Sequence, residues 1–194
     1  PEPFAIGGAA RLCGGGLRVV LATRHLPLRD VPAAITPRVV AEAATLAAEA
    51  LPWFGAPDGT VAVCGLNPHA GDGGALGGEE AAVIAPALRA LRRRGLAVSG
   101  PHPGDTVFHE ARSGRYAAVV AMYHDQGLAA LKTVAFEDGV NVTLGLPIVR
   151  TSPDHGTAFG IAGRGVASPA SMIAALRLAV VLARRPNPWA RAPR

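Results

Sequence analysis

The run Tyr116-Ala-Ala-Val-Val-Ala-Met122 is apolar throughout and reads as a short, buried strand. It runs straight into His124-Asp125-Gln126-Gly127, so polar groups arrive at the carboxyl end of that strand. That edge is where open α/β sheets bind ligands. Further strand patterns lie over residues 17–23 and 60–65, an alternating one lies over 140–145, and residues 96–99 form a shorter one. Helical patterns lie between them. Thr36 caps and Pro37 fits the first turn of a helix whose apolar face holds Val39, Val40, Ala43, Leu46, Ala47 and Ala50. A second helix opens on Glu79-Glu80, and Pro86 either kinks it or marks its true start. A third spans residues 168–183, begun by Pro169. Gly100-Pro101-His102-Pro103-Gly104 reads as a turn, and residues 151–159 read as a polar loop. Strand alternating with helix predicts an α/β fold, a mainly parallel sheet covered by helices.

With 194 residues, 49% of them hydrophobic, the chain can bury one domain core or form one large lobe of a bigger protein. Its net charge of +5 comes mostly from arginine. Arg92-Arg93-Arg94 complements the dipole at a helix end, and residues 184–194 form a basic tail. Aromatic residues are 5%, and no basic face carries them interleaved, which argues against a nucleic-acid reader. No signal segment and no apolar run of about 18 residues points to a membrane. Cys13 and Cys64 are far apart and without a CxxC pattern, so they read as reduced thiols of a cytoplasmic protein. The chain opens at Pro1 inside what reads as a strand and turn, and is expected to be a portion of a longer protein.

The candidate chemistry sits just past the strands. His25, His69 and His124 each follow a separate strand, so parallel strands would bring all three to one sheet edge. Three neutral imidazoles with open positions make a divalent-metal site, although a histidine past a strand is also an ordinary structural residue. Asp105 is either a helix cap or a functional acid. Lys132 is the only lysine in the chain. Its ammonium changes proton affinity on burial more readily than a guanidinium does. The Gly-rich loop of residues 65–74 has neither the Walker spacing nor GxGxxG.

Five stretches carry a resemblance: Arg24-His-Leu-Pro-Leu-Arg-Asp-Val-Pro32, Gly65-Leu-Asn-Pro-His-Ala-Gly71, Ala121-Met-Tyr-His-Asp-Gln-Gly127, Asn141-Val-Thr-Leu-Gly-Leu-Pro147 and Arg150-Thr-Ser-Pro-Asp-His-Gly-Thr-Ala158. Together they resemble the 4-hydroxythreonine-4-phosphate dehydrogenase (PdxA) family, in family order and spacing, from about Leu17 to Ala183. The resemblance implies an isocitrate/isopropylmalate dehydrogenase-like fold, with residues 1–194 as the C-terminal portion and much of the N-terminal lobe missing. It implies a homodimer with a shared active site and a divalent metal (Zn, Co, Mg or Ni) on His25, His69 and His124. It places Asp105, Asp125 and Lys132 in catalysis, and Lys132, Asn141 and Arg150 on a small phosphorylated substrate. His155, Gly156, Thr157, Ala158 and Gly163 then fall in a loop similar to the adenosine-binding loop of isopropylmalate dehydrogenase, implying NAD.

The implied activity is NAD-linked oxidation, with decarboxylation, of a phosphorylated hydroxy acid such as 4-phosphohydroxy-L-threonine, in pyridoxal phosphate biosynthesis. Related threonate-phosphate and dihydrodiol dehydrogenases are alternatives, as is a non-catalytic remnant that dimerises and binds metal or ligand. Two departures stand out. The family's N-terminal segment, with its substrate-binding His-Thr pair, has no counterpart here. Gly160 stands where relatives commonly carry an acid facing the ribose hydroxyls.

Overall fold

Strands that alternate between two cores set the architecture of the computed structural model, which describes residues 10–190. The strands are β1 (Ala10–Gly14), β2 (Leu17–Leu21), β3 (Val61–Cys64), β4 (Val98–His102), β5 (Ala118–Ala121), β6 (Val140–Thr143) and β7 (Thr151–Pro153). They make one seven-stranded sheet in the order β4-β3-β5-β2-β1-β6-β7. The first four in that order run parallel, while β1, β6 and β7 pair antiparallel. The helices are α1 (Val31–Ala34), α2 (Pro37–Trp53), α3 (Ala85–Arg93), α4 (Val107–Arg112), α5 (His124–Val134) and α6 (Ala170–Ala183).

Side chains two apart on a strand share a face, and the two cores divide accordingly. Val20, Val61, Val63, Val120 and Val142 face a core closed by α2, α3 and α6. Val19, Leu21, Ala62, Val119 and Ala121 face a second core closed by α4 and α5. Both faces of β3 and β5 are covered, which is why their sequences show no polar alternation. Thr36 caps α2 as its sequence predicts, its hydroxyl accepting from the Val39 amide at 3.3 Å. Alanines at 43, 44, 47 and 50 let α2 approach the sheet closely. Beyond them Trp53 is buried and its indole N–H donates to the Leu182 carbonyl at 2.9 Å, tying the ends of α2 and α6 together.

Several expectations need correction. The stretch from Gly100 to His102 is not a turn but the end of β4. An edge strand tolerates Pro101 because that side of the backbone needs no amide donor. At the irregular pairing between Ala62 and Cys64, Gly100 takes φ +127° and passes so close to Val63 that a Cβ would meet its carbonyl at 2.4 Å. Arg92, at the end of α3, is more than a solvated dipole partner. Its guanidinium donates to the Val98 carbonyl at 3.1 Å and the Gly100 carbonyl at 3.0 Å. The segment after Glu79 starts as a wide π turn, Glu80–Ile84, and becomes α-helical at Ala85 with Pro86 in its first turn. Residues 151–153, expected in a loop, form β7. Cys64 is buried in the second core and burial pushes its thiol up to about 12, so it is inert packing.

Candidate active site

Past the ends of β2 and β5 the pairing continues, the Ala22 amide donating to the Ala121 carbonyl at 2.8 Å. The amide and hydroxyl of Thr23 both donate to the Met122 carbonyl, at 3.1 and 2.7 Å. Gln126 closes the next gap: its side-chain carbonyl accepts from the Met122 amide at 2.6 Å, and its Nε2 donates to the Gly65 carbonyl at 2.8 Å. One glutamine thus ties together the carboxyl ends of β3 and β5, adjacent strands of the sheet. His124 is the first residue of α5, not part of a loop. Gly127 sits inside that helix, where a Cβ would lie 2.7 Å from Val19 and 2.9 Å from Leu21. Its missing side chain lets α5 lie directly on β2, which brings His124 toward the end of that strand.

His25, past the end of β2, meets His124 there with ring centroids 5.3 Å apart. Asp125 Oδ1 lies 2.6 Å from His124 Nδ1 and orients the ring, although Asp125 itself is exposed. His124, Leu128 and Lys132 follow at intervals of four along one face of α5. Opposite them stands the hairpin of β6 and β7, and between the two lies a cleft of about 420 Å³. Its walls carry Arg24, His25, His124, Lys132, Asn141, Asp154, His155 and Gly156. Asn141 points to the α5 side of the sheet because its neighbours Val140 and Val142 point into the other core. Its Oδ1 is buried and, among the described residues, has no hydrogen-bond partner. A ligand hydroxyl or amine would satisfy it. Lys132 Nζ is 3.5 Å from Asp154 Oδ2.

Not every candidate reaches this cleft. Arg150 opposes Thr143 across the hairpin and donates to its hydroxyl at 2.8 Å, outside the cleft wall. Asp105 is exposed past β4; its neighbour Gly104 abuts Gln126. Thr157, Ala158 and Gly163 lie on the exposed loop beyond Gly156, with Ala158 at φ +51° and Gly163 at +74°. His69 sits past β3 in a loop where residues 69–73 all take positive φ, and it is exposed. Among the described residues no three His, Cys, Asp or Glu side chains come together as a metal-binding group. The chain therefore brings two imidazoles together, with His69 on the loop past a neighbouring strand.

Glu80, expected with Glu79 as a helix-start acid, instead turns its side chain inward and is only 6% exposed. Its Oε1 accepts from the amides of Leu66 and Asn67, both at 2.7 Å, and its Oε2 accepts from the Asn67 side chain at 3.0 Å. Burial alone would raise its pKa, but the bonds from Asn67 and Leu66 outweigh burial and hold it below the ordinary value of 4.5. This carboxylate anchors the loop that carries His69.

The family described as pyridoxal phosphate biosynthetic protein PdxA matches residues 8–179. A 4-hydroxythreonine-4-phosphate dehydrogenase of Ruegeria sp. (strain TM1040) is 52% identical over 178 residues, 91% of this chain and 55% of the relative. One from Aromatoleum aromaticum is 55% identical over 172 residues, covering 88% of this chain and 53% of the relative. The chain spans about half the length of these curated relatives. Among solved structures, a 4-hydroxythreonine-4-phosphate dehydrogenase from Klebsiella pneumoniae superposes with a TM-score of 0.85 at 44% identity, over 92% of this chain and 54% of that one. A terephthalate 1,2-cis-dihydrodiol dehydrogenase from Burkholderia xenovorans LB400 does so at 0.74 and 36% identity, over 90% and 55%. With the family matched across nearly the whole described fold, the chain belongs to the PdxA family.

Proposed function

We propose that the chain is the part of an NAD-linked dehydrogenase that holds a phosphorylated hydroxy acid, such as 4-phosphohydroxy-L-threonine, in the cleft between α5 and the β6–β7 hairpin. The observation that carries the reading is the cleft itself: one ammonium, three imidazoles and one unpartnered amide oxygen converge there in a chain of this family. Lys132 supplies positive charge for an anionic group, and Asn141 Oδ1 accepts from a substrate hydroxyl or amine. His25 and His124 would hold a divalent cation, with His69 and a second copy of the chain completing the set. A cation held there would supply Lewis acidity toward a substrate hydroxyl, and NAD would supply the hydride acceptor. Asp125 fixes the tautomer and direction of His124, and the Asp105 carboxylate would receive the hydroxyl proton.

Elemental analysis of the purified protein is expected to find about one divalent ion per chain. His25→Ala and His124→Ala should each lower metal affinity by more than the roughly 10-fold to 100-fold that follows loss of an orienting partner. Unchanged metal content in both variants would remove the metal site. Turnover is then compared on phosphohydroxythreonine, threonate phosphate and a cis-dihydrodiol by NADH absorbance. Preference for the dihydrodiol would move the substrate class. Ligand binding with no turnover of any of the three would make the chain a non-catalytic relative.

The loop from His155 to Gly163 is proposed to hold the adenosine ribose. At Gly160 the backbone lies outside the left-handed region, and an added Cβ would find nothing within 4 Å. Gly160→Asp is therefore tolerated, and a carboxylate there gains a charge-assisted bond of about 1.5–3 kcal/mol, roughly one to two decades in NAD affinity. NADP should gain less or lose, because the carboxylate repels a 2′-phosphate. Calorimetric titration of both nucleotides into the full-length protein checks this; equal NAD affinities in two folded proteins would detach the loop from the ribose.

A further inference from the structure

We infer that Asp154, held in place by Ser171, is the positioning residue that orients the Lys132 ammonium in the cleft. The inference rests on the substrate reading above for its functional consequence, but not for its geometry. Lys132 lies near the end of α5 on a flexible four-carbon stem, and its side chain is 41% exposed. Such an ammonium samples many rotamers unless a partner selects one. Asp154 Oδ2, 3.5 Å away and 18% exposed on the side chain, is that partner.

Asp154 is itself fixed from behind. Its amide donates to Ser171 Oγ at 3.1 Å, and the Ser171 hydroxyl donates to the Gly139 carbonyl at 2.7 Å. Ser171 is 5% exposed, a buried hydroxyl in the first turn of α6 with both its donor and an acceptor function used. Gly139 leaves room for the arrangement. A Cβ there would stand 3.0 Å from the Ala135 carbonyl and 3.6 Å from Asp154 Oδ2. The chain of contacts therefore runs from α6 through Ser171 to Asp154 and across the cleft to α5. Asp154 also precedes His155 and Gly156, so the carboxylate that aims Lys132 marks the start of the loop proposed to bind the nucleotide.

Lys132 is the sole lysine, so a chain labelled with 13C,15N-lysine gives one lysine side-chain NMR signal. Asp154→Asn is expected to move that signal to the position of a solvated ammonium. Asp154→Glu should return it part of the way, and Ser171→Ala should broaden it while the backbone spectrum stays folded. In the full-length protein, Asp154→Asn should raise KM for the phosphorylated hydroxy acid by about tenfold, at the low end of what losing an orienting partner costs. It should change kcat by no more than about twofold, the pattern of lost uniform binding. A lysine signal unmoved by Asp154→Asn overturns the inference and leaves the proposed function standing. A moved signal with unchanged KM, where Lys132→Ala does raise KM, also overturns it. If Lys132→Ala leaves KM unchanged as well, the substrate reading of this cleft fails and takes the inference with it.

Discussion

Lys132→Ala is expected to weaken binding of the phosphorylated hydroxy acid by about 2–5 kcal/mol in the full-length protein, roughly 30-fold to several-thousand-fold in Kd. The effect is large because the variant removes a lysine from the α5 wall and leaves Asp154, across the cleft, without its cation. An anionic ligand then meets the Asp154 carboxylate with its neighbouring charge uncompensated by the ammonium. Arg150→Ala is expected to cost far less, within about 1 kcal/mol, because Arg150 is exposed, bonded to Thr143 and off the cleft wall. Calorimetric titration of the two variants beside the parent separates the cases. Equal losses would mean that Arg150 swings into the cleft when substrate binds. No loss in Lys132→Ala would remove this cleft as the anion site.

The second large effect concerns the fold. Glu80→Ala is expected to lower the stability of the chain by about 2–4 kcal/mol, since three donors lose a buried charged acceptor at once. Glu80→Gln should lose less, because its amide oxygen still accepts from the Leu66 and Asn67 amides. The pH dependence follows from the sign of the shift. The folded-state pKa of Glu80 lies below its ordinary value of 4.5. Its contribution is therefore complete above that value and fades as the pH falls through the folded pKa. Urea unfolding at about pH 7 and about pH 3.5 should show the parent losing more stability on acidification than Glu80→Gln does. Parallel losses would mean that the carboxylate is not held ionised by its three donors.

The buried strands were legible because covering both faces leaves a plain compositional mark. Val19, Val63 and Val120 need no partner beyond the helices to explain them. The cap at Thr36 was equally plain, since its chemistry is local. The extension of β4 was hidden because Gly and Pro argue for a turn until the strand is known to lie at an edge. The cleft was legible in part. His25, His124, Lys132 and Asn141 converge as the order of strands requires, whereas His69 depends on a loop of left-handed residues that no periodicity encodes. Glu80 and Asp154 were beyond reach for a different reason. Their partners lie 14 and 22 residues away in sequence, and a carboxylate reads the same whether it faces water or an amide.

The guanidinium of Arg92 has a consequence for how copies of this chain can meet. Two carbonyls on the outer strand β4 are already occupied by it, and Pro101 offers no amide, so a foreign strand finds little to zip onto. At the opposite border β7 is three residues long and ends in Pro153. Both borders of the sheet are thus blunted against templated growth. Among the described residues, the runaway stacking open to a bare strand is hindered in a sheet rich in buried valine.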